Sequence, residues 1–244
     1  MRQISPAARL LTVAALPLAL TACSLPGTKG PEAAPKAASA AAPKAAAPSA
    51  DPNKGLLTGT QLKAALAPAS FFRTGFTVDP ELSRDTGDTY QQPATADVPT
   101  PDCAKLGATS WTEITGITGV SFAQNAYVDK NSSEEFAQEI DVYRGTTATT
   151  VLDALGKIAM ACPSYTDGDT HAKVTVSEKP LPGVGDGAWA ITQTSTAWQG
   201  GTTLVAARVG TSVVTVLASS AKDSGLAGGT KLAKQLTASL KGKA

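Results

Sequence analysis

Two periods run through the apolar positions of the chain, one suited to helices and one to strands. "TTATTVLDALGKIAMAC" places Val151, Leu152, Leu155, Ile158, Ala159 and Cys162 on one side at helical spacing, and Pro163 stops the run. Four runs suited to strands follow, at 171–178, 187–197, 202–209 and 212–218, with turns marked by "PLPGVGDG", "WQGG" and "RVGTS". Their hairpin signals imply an antiparallel meander. From about Asp223 a last helix carries Leu226, Leu232, Ala233, Leu236 and Leu240 on its apolar side.

Upstream the pattern is thinner. In "LTGTQLKAALAP", Thr58 is placed to cap a short helix with a stripe of Leu62, Ala65 and Leu66 that Pro68 ends. Residues 71–102 mix Phe71, Phe72 and Phe76 with prolines and acids, and read as loop with room for one strand; 120–128 suits a strand. In "EEFAQEIDVY", Phe136, Ile140 and Val142 alternate with acids, which predicts a strand whose wet face holds Glu135, Glu139 and Asp141. Phe136, Ile140 and Tyr143 also stand at helical spacing, so both readings stay open here. Grouped strands with helices before and after predict an α+β domain, an antiparallel sheet with helices packed on one face, over residues 55–244.

The ends differ from that domain. Residues 1–9 carry Arg2 and Arg9 and no acid, and the apolar stretch 10–20 is too short to span a bilayer, so residues 1–22 read as a secretory signal peptide. Leu20-Thr21-Ala22-Cys23 matches the bacterial lipobox, in which small residues precede a cysteine that becomes an acylated N-terminus. Several acyl chains on Cys23 would hold the protein on the membrane from outside, since each buried methylene contributes about 0.8 kcal/mol. Residues 24–54 then hold eleven alanines and six prolines and no apolar periodicity. Such a tether is extended and reaches about 95 Å at about 3.1 Å per residue.

Charge excludes one class of partner. Beyond residue 54 the chain has 15 basic and 18 acidic side chains, so no concentrated basic surface for nucleic acid is expected. The basic cluster Lys231, Lys234, Lys241 and Lys243 fits the polar face and end of the last helix. In an oxidising exterior the remaining cysteines, Cys103 and Cys162, are expected to form a disulfide.

Candidate chemistry is sparse. Ser219-Ser220-Ala221-Lys222 has the S-x-x-K spacing of penicillin-recognising enzymes, but it follows a strand and lacks the companion motifs. Asp167, Asp169 and His171 in "TDGDTH" lack the continuation of a calcium loop and read as a solvated turn. The glycines of "PGVGDGAW" precede a strand and read as a tight turn, not a phosphate cradle. Trp111, Trp189 and Trp198 read as packing residues. No catalytic set, cofactor site or metal site is expected.

The stretches "LLTGTQLKAAL", "IDVYRGTTATTVLDALGKIAMAC", "LPGVGDGAW" and "ARVGTSVVTVL" resemble the extracellular sensor domain of actinobacterial serine/threonine kinases of the PknH type, which also occurs in stand-alone lipoproteins. The resemblance runs over most of residues 56–240. It implies an α/β sandwich with a cleft for an extracellular ligand, and it places Cys103 as the partner of Cys162. Kinase-linked members carry two disulfides where this chain has cysteines for one, and signalling would run through a separate partner. The expected function is that of a lipid-anchored protein on the outer face of the cell membrane, binding a small envelope-associated ligand or a partner without turning it over. The alternatives are an envelope hydrolase or acyltransferase using Ser219 or a serine near His171, and a structural docking module.

Overall fold

Strands β1 (Phe76–Asp85), β2 (Ser121–Asp129) and β3 (Glu134–Val142) form one antiparallel meander, and β4 (Ser164–Thr166), β5 (Lys173–Pro180), β6 (Gly187–Ser195), β7 (Gly201–Val209) and β8 (Ser212–Ser220) form a second. The two join where β3 pairs with β8, from Glu135 opposite Ser219 to Val142 opposite Ser212, giving the order β1-β2-β3-β8-β7-β6-β5-β4. The structure is a computed structural model that describes residues 51–93, 101–132 and 134–243, with only the backbone of Trp111 and Thr112. The expected signal peptide, Cys23 and the tether up to residue 50 lie outside the described residues. From Asp51 onward the chain is one compact unit. No helix among the described residues is long and apolar enough to cross a membrane.

Helices cover both faces of the sheet, which corrects the expectation of one covered face. Helices α1 (Gly59–Lys63) and α4 (Leu226–Leu240) lie on one side. There Leu62, Leu232, Leu236 and Leu240 pack on Ala123, Ile140, Val205, Ala207, Val214 and Val216. Helices α2 (Trp111–Thr115) and α3 (Thr147–Ala161) lie on the other, where Ile114, Val151, Leu155 and Ile158 pack on Val176, Ile191, Leu204, Ala206 and Val213. The reason is visible in β7 and β8: "LVAARV" and "VVTVLA" are nearly continuous apolar runs, as strands buried on both faces must be.

Local chemistry fixes the element ends. Thr58 and Gln61 cap α1 reciprocally, with Gln61 N–H donating to Thr58 Oγ1 at 3.4 Å and Thr58 N–H donating to Gln61 Oε1 at 2.9 Å. Asp223 caps the start of α4 by accepting from the N–H of Ala227 at 2.9 Å. At Gly225 the φ of +78° and the carbonyl of Ala218, which any Cβ would strike, both require glycine. β1 tolerates Pro80 because it is an edge strand whose register breaks between Asp79 and Arg84. Cys103 and Cys162 are joined, Cα to Cα 5.5 Å, tying a 3-10 turn at Cys103–Gly107 to the end of α3.

Candidate ligand cleft

The two faces of β3 settle its ambiguous pattern in favour of a strand, with one correction. Ile140 and Val142 face α1 and α4, while Glu139, Asp141 and Tyr143 face the α2–α3 side. The acid face is not wet: Glu139 is 3% and Asp141 7% exposed. The cover is the segment 108–119, which carries α2. Its Thr109 hydroxyl donates to Glu139 Oε2 at 3.1 Å, and Val120 N–H bonds Val142 O at 2.7 Å. Gly119 lies so close that a Cβ would stand 2.8 Å from Val142 O.

Under this cover is a cleft of about 150 Å³. Glu139 and Asp141 of β3 form one flank, and Phe122 and Gln124 of β2 the floor. Arg84 of β1 forms the opposite flank, with Gln91, Ser110, Thr118 and Gly119 around the rim. The register lines the key groups up, Arg84 beside Gln124 and Gln124 beside Glu139. Arg84 Nη2 donates to Gln124 Oε1 at 2.9 Å, and Gln124 Nε2 donates to Leu82 O at 3.1 Å.

Burial dominates the electrostatics. It raises the Glu139 carboxyl above the usual range, opposed by hydrogen bonds from Asp141 and Thr109 and by the charge of Arg84, and reinforced by Glu113. Asp141 is pushed up further, first by burial and then by the charge of Glu139, to which it donates. The two carboxyls therefore titrate as a pair, both held above the usual range by burial. Burial, then the charges of Asp141 and Glu139, raise Tyr143 as well. Asp141 Oδ2, Tyr143 OH and Thr215 Oγ1 have no hydrogen-bond partner among the described residues. A buried oxygen left this way costs about 1–3 kcal/mol.

A second hollow, about 480 Å³, runs along α4 and is lined by Lys179, Leu181, Leu226, Thr230, Lys231 and Lys234 among others. It is a shallow surface groove. Two of the four C-terminal lysines thus edge a groove, and Lys241 and Lys243 lie beyond the last turn of α4, which holds no basic residue.

The other sequence candidates are not brought together. Ser219 is the next-to-last residue of β8 and bonds the Thr202 hydroxyl at 3.0 Å, while His171 sits in the turn before β5. Three strand spacings separate those strands, about 14 Å. Asp167 is 2% exposed and bonds its own turn, its Oδ1 accepting from Thr170 N–H at 2.8 Å. The glycine-rich turn braces the β7–β8 hairpin, with Gly210 N–H donating to Asp186 Oδ2 at 2.8 Å. Trp189, partly buried, packs on Gly156 of α3 at the edge of the core. Glu134 pairs with Arg73 at 3.0 Å. Sequence reasoning named Glu139 and Asp141 but missed that they are covered. The signal available was β8, whose apolar residues on both faces require that its neighbour β3 also be buried.

No protein-family model matches the chain, and no curated protein sequence matches it. Its fold is similar to that of a solved structure, the crystal structure of the extracellular domain of PknH from Mycobacterium tuberculosis, with a TM-score of 0.54 and 14% identity over 76% of this chain and 97% of that one. That likeness establishes a PknH-like α+β fold, one used by an extracellular domain.

Proposed function

We propose that the chain is a lipoprotein held on the outer face of the cell membrane through Cys23. Its domain, like a sensor domain, binds a small envelope-associated ligand in the cleft beside Asp141 without turning it over. The observation that carries this reading is the small polar cleft itself, which Arg84 lines on one flank and the buried carboxyls of Glu139 and Asp141 on the other. Opposite charges gathered around one small cleft are what a polar ligand needs, and the sharing of this fold with an extracellular domain supports the outward location.

Two measurements test it. The full chain expressed with an alkyne-bearing palmitate analogue should be labelled and sediment with membranes, and Cys23→Ala should lose both properties. Native mass spectrometry of the full chain from its host should show an added small mass that Asp141→Ala lacks. A Cys23→Ala protein that stays membrane-bound refutes the anchor, and identical spectra for both proteins refute the cleft.

A further inference from the structure

We infer that the cleft takes a small zwitterion of the amino-acid type, its ammonium seated on Asp141 and its carboxylate on Arg84. This rests on the reading of the cleft as the ligand site. The argument is one of charge separated across a small space. Arg84, Gln124 and Glu139 stand on three adjacent strands, so their backbones span two strand spacings, about 10 Å.

The guanidinium of Arg84 bonds neutral Gln124 and forms no ion pair among the described residues, although its charge reaches Glu139. Across the cleft stand the carboxyls of Glu139 and Asp141, and neither forms an ion pair among the described residues. A lone cation would enter against Arg84, and a lone anion would enter against two carboxyls. A molecule with both charges a few bonds apart meets a complement on each flank, with Ser110 and Thr118 at the rim to bond it. The cleft's 150 Å³ admits only a small molecule of this kind.

An ammonium favours the ionised carboxyl, and burial holds the ionisation of Asp141 above its usual range. Affinity should therefore rise with pH as the carboxyl pair ionises. The charged and titratable groups around the Glu139–Asp141 pair are Arg84 on β1, Tyr143 directly after β3, and Glu113 on α2.

The test is titration of the full chain in detergent, followed by amide NMR of Gly119 and Gln124. The probes are L- and D-alanine, ethylamine, propionate and glucose. At least one alanine should bind more tightly than ethylamine and propionate, by about tenfold or more, and more tightly at pH 8 than at pH 5. Asp141→Asn and Arg84→Gln should each lose about tenfold, with the fold checked by circular dichroism and Arg84→Lys restoring part of the loss. Alanine binding no better than its two halves, or unaffected by either variant, overturns the inference. Glucose binding in the cleft without alanine also overturns it, but keeps the cleft as a ligand site. Silence toward every probe overturns it too, and the co-purification experiment then decides whether the cleft binds anything.

Discussion

Gln138 and Asp141 are both polar, both buried, and three residues apart on β3, yet they do opposite things. Gln138, fully buried on the α1 side, has its side chain fully engaged: Oε1 accepts from Ala67 N–H at 2.9 Å, and Nε2 donates to Ala67 O at 3.0 Å and to Asn125 Oδ1 at 2.7 Å. Asp141, on the other face, lines the cleft, bonds only Glu139, and keeps a buried Oδ2 without a hydrogen-bond partner among the described protein donors. Burial alone therefore does not mark a site. A buried polar side chain with every atom paired joins pieces of the fold, and one that is under-paired and lines a cleft is held ready for something else.

The comparison breaks first if the cover over Asp141 contributes nothing to the fold. The disulfide ties the turn that leads into that cover to the end of α3, across 59 residues of chain. Replacing both Cys103 and Cys162 by alanine should cost about 4 kcal/mol in the chain-entropy account. Urea unfolding of the oxidised, reduced and double-alanine proteins measures it. Reduced wild type should behave like the double variant, and a loss under 1 kcal/mol would mean the cover stays seated without the bond.

Next in size is Gln138→Ala, which leaves the N–H and C=O of Ala67 unpaired at a site that is 2% exposed. Stability should fall by about 3 kcal/mol with an unchanged urea slope. Ligand binding in the cleft should be unmoved, because the side chain lies on the opposite face. A change in cleft binding would show that the two faces of β3 are coupled and would spoil the contrast.

Some of this was open to the sequence and some was not. Helix α3 was readable from the spacing of Val151, Leu155 and Ile158, and α1 from the Thr58 cap, because both signals are local. Strands β5 to β8 were readable because glycine turns separate them. The coverage of both sheet faces was not, since it depends on which distant helix lies over which strand. Glu139 and Asp141 illustrate the same limit: alternation put them together on one face, but segment 108–119, which buries them, has no periodicity of its own. β4, three residues long, and α2, five, offer too few positions for a pattern.

The smallest predicted effect is also the one that reads Asp141 most directly. Its carboxyl is raised in the folded protein relative to an unfolded chain, where an aspartate ionises near pH 3.9. Folding therefore favours the protonated form. The associated stability is fully present below the unfolded value and is lost as pH rises through the raised one. Asparagine has nearly the same shape, keeps a donor toward Glu139 and cannot ionise. Asp141→Asn should match wild type at low pH and exceed it at pH 8 by on the order of 1 kcal/mol, measured as urea midpoints across pH. The same variant should bind less ligand, so stability and binding would move in opposite directions. That pairing separates a residue held for an occupant from one held for the fold: Gln138→Ala loses stability and keeps binding, and Asp141→Asn gains stability and loses binding. If Asp141→Asn were less stable than wild type at every pH, Asp141 would be a structural group like Gln138, and its buried carboxyl would have to be explained by the fold alone.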